Sequence, residues 1–366
     1  MLNKVTKILF AGGGTGGHLF PALAIADEIR KRDPNSLFLF AGTKNRIEAR
    51  VVPQRGFDFA PIWISGFHRG LTTQNLLFPL KILVSLIQSF FLIQRFRPNV
   101  VVGTGGYVCG PVLLVASFLG IPTVVHESNS YPGMTTKLLS GRATRVFTSF
   151  EATNDWLRRT DNVELVGTPT RDVLDNASRE AAFKFFGLDE KKQTVFVFGG
   201  SLGASSVNRA MAGIVEELSK AGVQFIWQTG DNDYSEIKKV TERKHLGWVG
   251  SFIDRMDLAY AAADVVVSRS GATTIAELTR IGKPAILVPY PHSAADHQTM
   301  NAKTVEEAGA AITVVDEKAG STLGKVILGL VKDKAKLESM SQASKSLGRP
   351  DAGKIIAEEI LKLAVS

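Results

Sequence analysis

The chain has almost no cysteine: Cys109 stands alone in 366 residues. A disulfide framework is therefore impossible, and a reducing compartment is expected. Acidic residues are missing over a long stretch, with none between Asp58 and Glu127. Residues 1–170 carry 18 Lys and Arg against 10 Asp and Glu, whereas residues 171–366 carry 25 of each, so the formal charge of +8 belongs to the first half. A surface of that sign suits an anionic partner: a phospholipid face, a nucleic acid or a polyphosphate ligand. It also fits an uneven solvated surface. The apolar run in the opening MLNKVTKILF is too short for a secretory signal and reads as a first β-strand.

What the chain does have is a pattern that runs twice. Its length favours two domains. Short apolar runs end in glycine or polar residues: KILFAG, LFLFAG, NVVVGTGG, TVVHES, RVFTSF and VELVGTP, then TVFVFGG, QFIWQTG, LGWVG, VVVSRSG, AILVPY and AITVVD. Each has the length of a buried strand, and helical stretches separate most of them. The expectation is an α/β protein of two doubly wound parallel sheets, about six strands each. The boundary falls in VGTPTR, giving domains 1–170 and 171–349, and the closing amphipathic helix (350–366) packs back onto the first. Ligands of such sheets lie beyond the carboxyl ends of the strands, so a ligand held by both occupies the cleft between them.

One helical stretch, Leu76 to Pro98, is apolar almost all round, with Lys81, Ser85, Gln88 and Ser89 near one stripe. It is long enough to span a bilayer, but it sits between βαβ elements and carries Pro79 and Lys81. Two readings remain: a core-packed helix, or one that buries one face and offers the other to a bilayer. In the second reading Leu76, Leu80, Leu83 and Phe90 face the lipid, and Arg69, Lys81, Arg95 and Arg97 meet anionic head groups.

Gly12, Gly14 and Gly17 satisfy G-x-G-x-x-G between a strand and a helix. Bare backbone there brings N–H groups close to a phosphate, and the helix start adds partial positive charge. A dinucleotide site also wants an acid at the end of the second strand, but LFLFAGTKN has none, which argues against a nicotinamide enzyme. A Gly-Lys-Ser/Thr phosphate loop is absent too. GTGG (103–106), GGSLG (199–203) and SRSGATT (268–274) also follow strands. Four such loops suit two diphosphates, one per domain.

GGGTGGH, GTGGYVCGP, HESN, GTPTR, GGSLGAS, SFIDRM, SRSGATTIAE and PHSAADHQTMNA, in this order over residues 12–302, resemble the MurG family of bacterial N-acetylglucosaminyltransferases. The resemblance implies a GT-B fold, two Rossmann-like domains facing across a cleft. It implies inverting transfer of N-acetylglucosamine from UDP-N-acetylglucosamine to the C4 hydroxyl of the muramoyl sugar of undecaprenyl-pyrophosphoryl-muramoyl-pentapeptide, lipid I, giving lipid II. With this come peptidoglycan synthesis, cell-wall biogenesis, cell shape and division, peripheral binding at the cytoplasmic face of the inner membrane, and contacts with other cell-wall synthesis and division proteins. No cofactor and no nucleic acid are implied.

Carried onto this sequence, the family pattern places Arg171 and Ser201 on the nucleotide diphosphate, with Ala272, Thr273, Thr274, Ile275 and Ala276 nearby. Glu277 takes the ribose hydroxyls, and Ile253 meets the uracil through its backbone. Gln298 binds the donor sugar hydroxyls; some members have Gln-Gln where this chain has His297-Gln298, which leaves the role of His297 open. Thr15, Gly16, Gly17 and Asn129 border the donor sugar. Gly14 to Gly17 cradle the acceptor diphosphate, with Gly105, Gly106 and Tyr107 beside it. The general base is open between His18 and Glu127. A neutral imidazole at a helix start suits proton abstraction, and it equally suits capping or phosphate binding; Glu127 either acts itself or orients His18 or His126. Asp231-Asn232-Asp233 spells a metal-diphosphate signature of another glycosyltransferase fold, but it reads here as a turn, and no metal site is expected. The rivals are another sugar-nucleotide enzyme of this fold, such as a glycolipid galactosyltransferase or a UDP-sugar 2-epimerase, and a non-enzymatic nucleotide-binding adaptor. An epimerase has no use for the basic apolar face, and an adaptor none for a base.

Overall fold

The computed structural model describes residues 5–66, 77–170, 172–200, 203–241 and 247–365. The chain forms two compact units, Met1–Thr170 with Pro350–Ser366, and Arg171–Arg349. In the first, strands β1 (Lys7–Ala11), β2 (Leu37–Gly42), β3 (Asp58–Pro61), β4 (Val100–Gly103), β5 (Thr123–Glu127), β6 (Arg145–Thr148) and β7 (Val163–Leu165) form one sheet in the order β3-β2-β1-β4-β5-β6-β7. In the second, β8 (Thr194–Phe198), β9 (Gln224–Gln228), β10 (Gly247–Gly250), β11 (Val265–Ser268), β12 (Ala285–Leu287) and β13 (Ala311–Thr313) follow the order β10-β9-β8-β11-β12-β13. Every neighbouring pair is parallel.

The first sheet has seven strands where six are legible in the sequence. The extra one is β3, whose DFAP pairs only with β2, Leu39 opposite Asp58 and Gly42 opposite Pro61. An edge position tolerates a proline and an acid, and neither advertises a strand. The central strands read as unbroken apolar runs because helices cover both faces; β4, β8 and β11 are buried throughout.

Strand order reverses between β1 and β4 in one sheet and between β8 and β11 in the other. The loops that leave these four strands are therefore brought together in pairs beyond the carboxyl ends, and they are the four glycine-bearing loops. Helix Gly16–Arg32 follows β1 and packs against the closing helix Ala352–Val365. Ile356, Ala357 and Ile360 enter the core around Ile25 and Ile29, and Arg32 and Arg145 pair with Glu358 and Glu359. Burial of each isoleucine contributes about 2 kcal/mol, more than the exposed ion pairs.

Helix Phe78–Phe96 has an inverted amphipathicity. Its buried residues are Ser85, Ser89 and Ile93, and the two hydroxyls donate to the carbonyls of Ile82 and Ser85. Gln88 accepts from the Trp63 amide, and Lys81 donates to Ser65 Oγ at 2.8 Å. The polar stripe thus turns toward the domain. Leu80, Ile82, Leu83 (56% exposed), Ile87, Phe90 and Phe91 (66%) stand in the open.

Candidate active site

His18 lies in the first turn of helix Gly16–Arg32, half-buried. Its Nδ1 is 3.1 Å from the Gly13 carbonyl and 3.4 Å from Thr15 Oγ1. A carbonyl only accepts, so the geometry assigns the proton to Nδ1 and leaves the lone pair on Nε2. The ring rests on the loop after β4. A Cβ at Gly105 (φ +109°) would fall 2.4 Å from His18 Cδ2, so only glycine admits the ring there. Thr104 Oγ1 donates to the His18 carbonyl at 2.7 Å and ties the two loops together. Beneath them Cys109 donates to the Ala11 carbonyl and accepts from the Gly105 amide; burial pushes its thiol up to about 12, which makes it an inert tie. Gly14 (φ +84°) has open space on its Cβ side, and Tyr107 is exposed.

Glu127 ends β5, buried. Its Oε1 accepts from the Asn129 amide and Asn129 Nδ2, each at 3.1 Å, and its Oε2 from the Gly133 amide (3.0 Å) and Thr136 Oγ1 (2.7 Å). The carboxylate thus shapes the loop that carries Asn129. Next to it His126 is fully buried and donates through Nε2 to the Gly167 carbonyl at 2.9 Å. Burial holds its imidazole below the ordinary histidine range, against smaller opposing contributions from the Gly167 bond and Glu127. The unfolded chain takes up this proton near pH 6.5 and the folded chain resists it, so stability falls as pH drops below about 6.5, by at most about 1.4 kcal/mol per pH unit. Urea midpoints at pH 7 and 5.5 check this. His126→Gln keeps a donor for Gly167 and should lessen the drop; an unchanged drop would place the acid sensitivity elsewhere.

In the second unit, helices Ser205–Lys220 and Ala272–Ile281 start after β8 and β11. Neither has a side-chain cap, nor has helix Gly16–Arg32; several helices away from these loops, such as Met256–Ala262 and Ala319–Lys332, lack one too, while Ser178 and Asp333 cap theirs. Beside the start of helix Ala272–Ile281, Ser268 Oγ and Thr273 Oγ1 are buried without a hydrogen-bond partner. Uncapped N–H groups and idle hydroxyls are donors that an anion could take up. Ala272 and Ile275 are buried, Thr274 and Ala276 half-buried. One turn on, buried Glu277 accepts at Oε2 from Tyr260 at 3.0 Å. Gln228 donates to the Gly200 carbonyl and accepts from the Ile253 amide, both at 2.9 Å. The Ile253 amide is thus engaged, which leaves its carbonyl to meet a base. Gln298 accepts from the Tyr290 amide at 2.9 Å, which leaves its amide nitrogen to donate to a hydroxyl. His297 opens helix His297–Glu307.

Arg69, Leu76, Arg171 and Ser201 lie outside the described residues. Asp231 and Asp233 are not in a turn: they form the first turn of helix Asp231–Thr241, where acids suit the helix dipole, and Asp233 accepts from Asn208 Nδ2 at 2.7 Å. Among the described residues, no group of three His, Cys, Asp or Glu side chains could hold a metal ion. Two features have no signature in the sequence. Arg269 donates to the Val288 and Pro289 carbonyls, to Ser206 Oγ at 2.9 Å and to Asp316, and so fixes the loop after β11 against the start of helix Ser205–Lys220. Glu48, 1% exposed, bonds the glycine loop after β1.

Known proteins are similar to this chain over nearly its whole length. The glycosyltransferase family 28 N-terminal domain matches residues 8–148, and the family's C-terminal domain matches residues 194–356. A Flavobacterium psychrophilum protein named UDP-N-acetylglucosamine–N-acetylmuramyl-(pentapeptide) pyrophosphoryl-undecaprenol N-acetylglucosamine transferase is 44% identical over 362 residues, 98% of each chain. A Chlorobaculum tepidum protein of the same name is 42% identical over 98% of this chain and all of its own. The crystal structure of Acinetobacter baumannii MurG matches with a TM-score of 0.76 at 26% identity, covering 98% of this chain and 99% of that one. With two doubly wound parallel sheets of the GT-B fold class and both domains matched, the chain belongs to glycosyltransferase family 28 and, within it, to the MurG family.

Proposed function

We propose that this enzyme transfers N-acetylglucosamine from UDP-N-acetylglucosamine to the C4 hydroxyl of the muramoyl sugar of lipid I, with inversion, to give lipid II. The relatives' shared name supports the reaction. The observation that carries the donor half is the pair of uncapped helix starts after β8 and β11, with the idle hydroxyls of Ser268 and Thr273 beside them. Their N–H groups receive the UDP diphosphate and stabilise the negative charge that grows as the glycosidic bond breaks. Glu277, held by Tyr260, takes the ribose hydroxyls; the Ile253 carbonyl accepts from the uracil; Gln298 donates to the sugar.

On the first unit, His18 is the general base. Its Nδ1 proton is committed to Gly13, so Nε2 takes the proton of the C4 hydroxyl as the oxygen attacks the anomeric carbon and UDP departs. Glu127 instead holds Asn129 in place, since its oxygens already accept four hydrogen bonds from their own loop. Gly14 and its neighbours cradle the acceptor diphosphate. The reaction is tested with labelled UDP-N-acetylglucosamine and a lipid I analogue, with UDP-galactose as control. Label entering a disaccharide product from the first donor alone is expected; transfer from UDP-galactose, or release of free sugar only, would contradict the assignment.

The enzyme binds the inner-membrane surface through helix Phe78–Phe96, lying on the bilayer. Its outward side is apolar and its polar stripe is spent on the domain, the reverse of a solvated helix. Exposed Arg95 and Arg97 meet anionic head groups, and Phe118 and Leu119, exposed at the end of the neighbouring helix Cys109–Phe118, extend the apolar face. The double variant Leu83→Ser, Phe90→Ser should lose most binding to anionic vesicles in flotation and keep activity on a short-chain soluble acceptor. Equal loss of both would mean that the helix supports the fold rather than the membrane.

A further inference from the structure

We infer that Glu48 is a positioning residue for His18 and acts through the single peptide that joins Gly13 to Gly14; the inference rests on His18 being the base. The Gly13 carbonyl accepts from His18 Nδ1 at 3.1 Å. The amide at the other end of that peptide, Gly14 N–H, donates to Glu48 Oε2 at 3.0 Å. The other carboxylate oxygen accepts from the Thr43 amide (2.9 Å) and Thr43 Oγ1 (2.6 Å). A buried carboxylate is thus joined to the imidazole by one planar, polarisable unit.

The seat is built for this side chain. A Cβ at Gly13 (φ +153°) would fall 2.4 Å from Glu48 Cδ, and one at Gly42 2.5 Å from its Cγ. Glu48 makes no ion pair with a Lys or Arg among the described residues, so its charge is held only by N–H and O–H donors. Leaving a charge buried in this way is expensive, and a neutral side chain would fill the same space at lower cost. The charge has a use. Pulling on the Gly14 N–H makes the Gly13 carbonyl a stronger acceptor, which fixes the proton on Nδ1 and keeps the Nε2 lone pair for substrate.

Other titratable groups around the ring do not do this. Cys109 lies beneath the loop after β4 with its thiol held neutral by burial. Glu127, at the end of β5, is spent on its own loop. Tyr107, beyond Gly105, and Lys44 and Arg46, on the segment before Glu48, are exposed.

The test is nitrogen-15 NMR of the full chain labelled at histidine, with His18→Ala to assign the ring, alongside steady-state kinetics. In the wild type the neutral His18 ring should carry its proton on Nδ1. In Glu48→Gln the ring should show mixed tautomers, and kcat should fall about tenfold while the KM for UDP-N-acetylglucosamine stays within about twofold. A ring unchanged by Glu48→Gln would make Glu48 a structural strut and overturn the inference. Should that variant fail to fold, the wild-type ring decides: a proton on Nε2 overturns the inference, and a proton on Nδ1 sustains it. Full turnover in His18→Ala would sink the base assignment by itself and leave the NMR result standing, so the two failures are distinguishable.

Discussion

Replacing His18 with Ala lowers kcat by about 10²-fold or more and leaves the KM for the donor near the wild-type value. The size follows from the chemistry. A sugar hydroxyl attacks poorly with its proton in place, and a positioned base is worth about two to four orders of magnitude. The split between kcat and KM follows from the geometry, because His18 belongs to the unit assigned to the acceptor and has no part in holding UDP. The variant should also lose the acid limb of the kcat profile, since that limb reports protonation of the abstracting group. A loss below about fivefold with the limb intact would pass the role to another group. Glu127 would then have to act while its oxygens accept bonds from Asn129, Gly133 and Thr136, and its replacement would disturb Asn129 as well.

Replacing Glu277 with Ala raises the dissociation constant for UDP by about 10²-fold, as measured by titration calorimetry. Hydrogen bonds to a charged partner contribute about 1.5–3 kcal/mol each, and a ribose offers two hydroxyls to one carboxylate. Glu277 is buried and steadied by the Tyr260 hydroxyl, so its position is set before ligand arrives and little ordering entropy opposes binding. Unchanged affinity for UDP would remove Glu277 from the ribose and reduce its role to satisfying Tyr260.

The strands and glycine loops were legible because they are local. A short apolar run that ends in glycine or a polar residue states its own length, burial and turn, and twelve of the thirteen strands announce themselves in this way. β3 does not, because an edge strand needs one partner only and DFAP has the composition of a turn. Periodicity revealed the polar stripe on helix Phe78–Phe96 but not its direction: a stripe that faces solvent and one that faces Trp63 and Ser65 have the same spacing. The glycines of GTGG suggested phosphate, and Gly105 turns out also to make room for the His18 ring. Glu48 was hidden for a different reason. It sits in helix Ile47–Gln54, and the amide it holds lies 34 residues earlier in the chain. Arg269 and Asp316 are 47 residues apart, and nothing in either neighbourhood names the other. Contacts of this kind join segments that leave strands lying near one another in a sheet, and spacing along a chain does not encode that neighbourhood.

Crystals soaked with UDP-N-acetylglucosamine test the central claim most directly. The account predicts the diphosphate at the starts of helices Ser205–Lys220 and Ala272–Ile281, the ribose on Glu277 and the uracil at Ile253. Donor bound instead to the glycine loop of the first unit, beside His18, would contradict it.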